Sequence, residues 1–126
     1  MYSLVKAMKA LSEDTRLRII NVLLVRECCV CEVMQALEIS PTRASRNLTM
    51  LYDAGFLKMR KEGLWSLYSL DKEMLGYLMR LVEAVALALD DNKVAREDRE
   101  RLKTASRTGP LCLQQAKGVC SKGTAA

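Results

Sequence analysis

The sequence predicts a mainly α-helical fold that contains one small β-hairpin and forms a dimer. Apolar residues recur at helical spacing in four segments of the first half, and they alternate over two short segments near the middle. A broad apolar stripe then follows along residues 75–89. Half of the 126 residues are apolar and 28% are charged, a composition typical of folded domains. We expect one folded domain over residues 1–92, and a polar helix with a flexible tail over residues 93–126.

Four helices are predicted before the hairpin. The first spans roughly residues 2–11, and the second covers residues 12–25 with a serine as its N-cap. A short third helix opens at the cysteine cluster and stops near residue 38. The fourth covers residues 40–55, because Ser40 is a natural N-cap and the proline after it is tolerated in a first turn.

A hairpin and a long helix are predicted to follow. Residues 56–60 and 64–70 read as strands, and Gly63 in the connecting loop 61–63 can adopt the positive φ that a tight turn needs. The long helix begins at about residue 71, and its apolar stripe is wider than the core of a small domain requires. Part of it is therefore expected to face a second subunit, and the alternative is a buried core helix.

The composition excludes several kinds of chemistry. The chain has no histidine, so it cannot form a Ser–His or Cys–His catalytic pair or use an imidazole metal ligand. No segment predicts a membrane-spanning helix or a secretory signal. We expect a cytoplasmic protein that is not an enzyme, in a compartment where its five cysteines stay reduced.

The element order predicts a DNA-binding unit. A helix, a short turn, a second helix and a hairpin form the order of a winged helix-turn-helix, whose second helix enters the major groove. Basic residues outnumber acidic ones in residues 41–63, and the expected partner is double-stranded operator DNA. The candidate DNA-binding residues are Ser40, Thr42, Arg43, Ser45, Arg46 and Asn47 on the exposed helix face, with Arg60 and Lys61 at the hairpin tip.

Three stretches of the chain resemble the ArsR/SmtB family of metal-responsive repressors. Residues 11–19 look like the family's entry helix, residues 40–57 resemble its recognition helix and exit, and residues 60–70 resemble its wing. The resemblance implies a homodimer, joined through its first and last helices, that represses an operon until an inducer binds. Asn47 stands where the family usually has histidine.

The cysteine cluster resembles the metal-binding box of the same family. Residues 27–32 read Glu-Cys-Cys-Val-Cys-Glu, which is similar to Glu-Leu-Cys-Val-Cys-Asp, with Cys29 and Cys31 at the two matching positions. Arsenic-responsive members have a third cysteine where this chain has Met34. The resemblance implies As(III) or Sb(III) as the inducer, since thiolates select soft ions. The candidates for a third ligand, each of which could instead be a bystander, are Cys28, Cys112 and Cys120.

A release mechanism follows from this assignment. On an ideal helix, residues 29 and 31 are about 200° apart, so one ion that binds both should distort the first turn of the third helix. That helix packs on the recognition helix, and the distortion should weaken DNA binding. Three alternatives stay open: a repressor that responds to Cd(II) or Pb(II), a repressor whose thiols respond to oxidation, and a Cys-x-Cys thiol oxidoreductase or metallochaperone.

Overall fold

The computed structural model describes residues 1–107, which form six helices and a small antiparallel sheet. The elements in chain order are α1 (Tyr2–Ala10), α2 (Asp14–Leu23), β1 (Cys28–Cys29), α3 (Val30–Leu37), α4 (Pro41–Asp53), β2 (Leu57–Glu62), β3 (Trp65–Leu70), α5 (Gly76–Leu89) and α6 (Lys93–Leu102). The predicted fold class, mainly α-helical in the winged helix-turn-helix order, is confirmed. None of the helices in this part of the chain has the length and apolar character needed to cross a bilayer.

Two helix starts differ from the prediction. The N-cap of α2 is Glu13, whose side chain accepts a hydrogen bond from the Arg16 amide, and Ser12 instead bonds to the end of α1. Helix α5 begins at Gly76 and not near residue 71, because the backbone at Leu75 is extended.

The sheet has three strands in the order β1-β3-β2, one more than the predicted hairpin. Cys28 and Cys29 form β1, which pairs antiparallel with β3. The prediction that the cysteine cluster opens a helix is therefore wrong for these two residues. Their backbone is buried, and pairing with the edge of β3 satisfies hydrogen-bonding groups that would otherwise be lost from water.

The hairpin turn is shorter than predicted. Glu62 pairs with Trp65, so only Gly63 and Leu64 connect the strands. Gly63 has the expected positive φ, at 61°. Because the turn starts at Gly63, the two basic residues that precede it belong to β2 and do not form the tip.

The core lies between α2, α3, α4 and the base of the hairpin. Its large side chains with essentially no exposure include Ile19, Ile20, Leu48, Leu51, Phe56 and Leu67. Helix α1 rests on this core through the small residues Ala7 and Ala10. Only Leu78 and Val82 of α5 are buried. Helix α5 is therefore not a buried core helix of this chain.

Two helices keep apolar side chains on their outer faces. Exposed apolar residues on α1 include Leu4, Val5 and Met8, and those on α5 include Met79 and Leu87. Helices α1 and α5 therefore leave apolar surface uncovered in the single chain.

Helix α6 packs against α2 and α3. Its residue Asp98 has no solvent exposure and accepts hydrogen bonds from Arg18 on α2 and Arg101 on α6 itself. Arg101 also donates to the carbonyl of Ala36 in α3, at 2.8 Å. The predicted flexible tail lies outside the described residues.

Candidate thiol sensor and nucleic-acid interface

Cys29 and Cys31 lie side by side at the start of α3. Cys29 is the N-cap of the helix and has an extended backbone (φ −84°, ψ 172°), whereas Cys31 is in the first turn. Their Sγ atoms are 3.3 Å apart. The prediction that a shared ion must distort the first turn is wrong, because Cys29 precedes the helix and helical geometry does not separate the two side chains.

The carboxylate of Glu32 holds this conformation in place. It accepts a hydrogen bond from the backbone N–H of Cys29 at 2.9 Å, which closes a capping box at the start of α3. Arg26 forms an ion pair with Glu32 at 2.9 Å, and Arg107 approaches to 3.7 Å. The side chain of Glu32 is only 4% exposed. The sequence carries a signal for this role, because an acidic residue stands three positions after the N-cap of α3.

The segment after α6 covers the cysteine pair. Ser106 and the side chain of Gln35 exchange two hydrogen bonds, of 2.7 and 3.1 Å. The carbonyl oxygen of Ser106 is 3.7 Å from the Sγ atom of Cys31. An ion that reaches the cysteine pair must therefore pass beside the segment that contains Ser106.

The thiols differ in state. Cys31 is disulfide-bonded, so a ligand that needs both sulfurs of the pair requires reduction of Cys31 first. Burial raises the pKa of Cys28 to about 12 and that of Cys29 to about 11, and the Glu32 carboxylate contributes to both shifts. A soft ion that binds the Cys29 sulfur as a thiolate must displace the proton of this thiol.

A third ligand is not assembled in the part of the chain that the structure describes. Cys28 precedes Cys29 in β1, where successive side chains point to opposite faces, and its Sγ atom is directed to the carbonyl of Arg26. Met34 is buried on α3. Among residues 1–107, no group of three His, Cys, Asp or Glu side chains is placed to hold a metal. Cys112 and Cys120 lie outside the described residues.

The N-terminal half of α4 presents a basic surface. Ser40 caps the helix by accepting a hydrogen bond from the Arg43 amide at 3.1 Å. Thr42, Arg43 and Arg46 are exposed, and Ser45 is partly exposed. Arg43 also donates to the hydroxyl of Thr15 at 2.6 Å. Beside the helix is a cleft of about 480 Å³, and its lining includes Arg43 and Arg46.

Asn47 does not belong to that exposed surface. It is 6% exposed, its Oδ1 atom accepts a hydrogen bond from Arg16, and its Nδ2 group donates to the carbonyl of Arg43. The prediction that Asn47 faces DNA is wrong, because both ends of its amide are used inside the protein.

The two basic residues of the wing are exposed but engaged. Arg60 forms ion pairs with Glu27 at 2.6 Å and Glu62 at 3.0 Å, and Lys61 donates to the hydroxyl of Ser66. The Arg60 guanidinium lowers the pKa of Glu27. The predicted position of Arg60 and Lys61 at the hairpin tip is wrong, since both lie in β2. Arg60 instead connects the wing to the residue before the cysteine cluster.

Comparisons with known proteins agree on one family. The family described as bacterial regulatory protein, arsR family, matches residues 13–59. The chain is 46% identical over 83 residues to a cadmium resistance transcriptional regulatory protein, a CadC homolog of Staphylococcus aureus, covering 65% of this chain and 66% of that one. It is 39% identical to the arsenic resistance transcriptional regulator ArsR1 of Pseudomonas putida, over 61% of each chain. The chain thus spans slightly under two thirds of the length of these two relatives.

Two further comparisons cover more of the matched protein. The chain is 35% identical to the arsenic resistance transcriptional regulator ArsR2 of Pseudomonas putida, over 64% of this chain and 70% of that one. Its structure is similar to that of a homodimeric winged helix-turn-helix DNA-binding domain from Mycobacterium bovis. That likeness has a TM-score of 0.61 and 28% identity, and it covers 72% of this chain and 82% of the other.

Proposed function

The chain belongs to the arsR family of bacterial regulatory proteins, and from this membership we propose that it is a metalloid-responsive transcriptional repressor. A homodimer binds operator DNA through α4 and the wing, and it leaves the DNA when As(III) or Sb(III) binds to Cys29 and Cys31. The observation that carries this proposal is the 3.3 Å distance between the two Sγ atoms at the start of α3.

The spacing of the two sulfurs favours a pyramidal ion. With metal–sulfur bonds of about 2.3 Å, two sulfurs 3.3 Å apart subtend an angle of about 92° at the ion. This is nearer to the right-angled geometry of trivalent arsenic or antimony than to the tetrahedral angle of four-coordinate thiolate sites. A third thiolate completes a pyramidal site, and we propose that Cys112 or Cys120 supplies it. The orientation of Cys28 in β1 argues against that residue.

The surface of α4 supports DNA as the partner. Arg43 and Arg46 are exposed beside a capped helix N-terminus, and such residues bind phosphates and base edges in the major groove. A homodimer would cover the apolar outer faces of α1 and α5, and it would present two recognition helices to a two-fold symmetric operator.

The position of the cysteine pair supports a direct route from inducer to DNA. Helix α3 packs on α4, and β1 pairs with β3 of the wing. A ligand that binds Cys29, Cys31 and a third thiolate therefore acts at the junction of both DNA-binding elements. A coupling of about 1–3 kcal/mol between the sites would lower operator affinity by roughly 5- to 150-fold.

The experiment is arsenite-dependent release from operator DNA under a strong reductant. We expect the Cys29→Ser and Cys31→Ser variants to bind the operator like the wild type and to stay bound when arsenite is added. Cys28→Ser is the matched control and should respond normally. Truncation after Thr108 removes Cys112 and Cys120, so it should weaken the arsenite response and leave DNA affinity unchanged. A Cys29→Ser, Cys31→Ser double variant that still leaves DNA on arsenite addition would show that the sensor is elsewhere.

The DNA-binding surface is tested separately. Arg43→Ala and Arg46→Ala should each weaken operator binding, and loss of one phosphate contact should reduce the salt slope by about one. Arg96→Ala removes an exposed arginine from α6 and should change neither quantity. If both α4 variants bind like the wild type, α4 is not the recognition helix.

A soft divalent ion is the second candidate for the inducer. The 46% identity to a cadmium resistance regulator favours Cd(II) or Pb(II), which thiolates also bind. Titration of the same operator complex with Cd(II), Pb(II) and arsenite decides between them. Release by an oxidant, reversed by dithiothreitol and absent with arsenite, would instead support a redox sensor.

A further inference from the structure

A buried arginine connects the first helix to the recognition helix. Arg16, in the first turn of α2, is 9% exposed. Its Nε group donates to the carbonyl of Ala10 at 2.6 Å, at the C-terminal end of α1. Its Nη1 group donates to Oδ1 of Asn47 in α4 at 2.7 Å. One guanidinium therefore contacts both helices, the end of α1 through Ala10 and α4 through Asn47.

The contact that runs from α1 through Arg16 to Asn47 in α4 is called the joint below. The side-chain chemistry of Arg16 and Asn47 sets its geometry. A guanidinium has only donors, in a rigid planar fork, so Asn47 must present its oxygen to Arg16. The amide nitrogen of Asn47 then donates to the carbonyl of Arg43 at 2.9 Å. A flipped amide would place donors against donors and an oxygen against an oxygen. Lysine could not replace Arg16, because a single ammonium cannot span both helices in fixed directions.

The joint lies between two surfaces that the proposed function uses. Helix α1 turns Leu4, Val5 and Met8 outward, on the face proposed as part of the dimer interface. Inward it presents only Ala7 and Ala10, whose small side chains do little to fix its orientation. The arginine thus provides the directional contact between α1 and α4.

We propose that Arg16 is a positioning residue that fixes the recognition helix relative to α1 and thereby sets the half-site spacing that the dimer accepts. The inference rests on the proposed function, since it needs a dimer that binds DNA. Half-sites of helix-turn-helix dimers lie about one turn, or 10–10.5 bp, apart, so one added base pair rotates a half-site by roughly 35°. If the joint is rigid, the recognition helix α4 cannot follow this rotation. If the hydrogen bonds of Arg16 are weakened, α4 can reorient relative to α1 and follow it.

The test compares operators of different spacing. A two-fold symmetric duplex is first selected from a random library with the wild-type protein, and duplexes with one base pair added or removed at the centre are made from it. Affinities for the three duplexes are measured for the wild type, Arg16→Lys, Asn47→Ala and the double variant. Arg18→Lys is the matched control. Arg18 is another arginine of α2, its side chain is 21% exposed, and within residues 1–107 its side-chain hydrogen bonds go to Leu37 and Asp98 and not to α1 or α4. The midpoint of thermal unfolding is measured for each variant as a control for stability. The mass of each variant in solution is measured as a control for dimer formation.

We expect the wild type to bind the duplex of the selected spacing most tightly. In Arg16→Lys, the ratio of the affinities for the selected and the altered spacings should fall about tenfold, which is a coupling typical of hydrogen-bonded neighbours. Asn47→Ala should lose a similar factor, and the double variant no more than either single one, because both act through one bond. Arg18→Lys should be less stable and keep the spacing preference. If Arg16→Lys and Asn47→Ala both keep the wild-type preference within twofold, the inference is overturned. If the wild type selects no duplex at all, the proposed function fails instead.

Discussion

Replacing Asp98 by asparagine should destabilise the protein strongly, because Asp98 is a buried charge between two arginines. Its side chain has no exposure, and it accepts hydrogen bonds of 2.8 and 2.9 Å from Arg18 and one of 2.8 Å from Arg101. The carboxylate also raises the pKa of Arg18. Asparagine has almost the same shape, but its NH₂ group would meet guanidinium donors and its charge is gone.

The expected loss is about 3 kcal/mol of unfolding free energy. Breaking a buried ion pair by removing one partner costs about 3–5 kcal/mol. The lower end applies here, because the side chains of Arg18 and Arg101 are 21% and 32% exposed and water can partly replace the lost acceptor. A domain of this size loses roughly 4–8 °C in Tm per kcal/mol, so the melting temperature should fall by about 12–24 °C.

Urea denaturation at pH 7 measures this loss. The matched control is Glu100→Gln on the same helix, which removes an ion pair with Lys103 whose side chains are both 69% exposed. Exposed pairs contribute at most about 1 kcal/mol, so the control should stay close to the wild type. Equal stability of Asp98→Asn and Glu100→Gln would refute the reasoning, since it would mean that α6 is not held to α2 by this carboxylate.

Three smaller perturbations follow from single local features. Ser40→Ala removes the side-chain cap of α4 and should cost about 1 kcal/mol in urea unfolding, and no loss would mean that another group caps the helix. Gly63→Ala should cost about 1–2 kcal/mol in the same assay, because φ is 61° and a residue with a side chain is strained there. The added Cβ would make only an ordinary contact with Trp65, at 3.9 Å, so the loss has no steric source. Gly63→Asn should cost less, and equal losses would point to a steric cause. Tyr68 has a pKa raised by burial, so it stays neutral in the folded state while the unfolded state ionises, and stability is lost as the pH rises above about 10. Tyr68→Phe should reduce that loss. The difference in tyrosinate absorbance between the wild type and the variant should increase at a higher pH than the absorbance of an exposed tyrosine does.

The sequence predicted those parts of the fold that depend on local pattern. Amphipathic spacing, the Ser40 cap and the glycine of the hairpin turn are encoded by adjacent residues, and the structure has all three. Strand β1 could not be predicted in this way. It contains two residues, and its existence depends on pairing with β3, which lies almost forty residues further along the chain.

The candidate site was predictable in composition but not in geometry. A cysteine pair is visible in the motif, whereas the conformation of Cys29 depends on the hydrogen bond that Glu32 makes to its backbone. Asn47 illustrates the opposite error. Its position on the helix is compatible with exposure, and only the arrival of Arg16, distant in sequence, shows that it is buried.

The same contacts explain how a small ligand could act on a surface as large as a DNA interface. The cysteine pair occupies the first turn of α3 and the end of β1, and packed elements shift as units because interiors do not compress. Arg60 extends the connection, since it joins the wing to Glu27 just before the pair. Under the proposed function, α4 and the wing therefore receive one displacement together. Because an operator complex needs both elements in register, a movement too small to unfold either of them is enough to release the DNA.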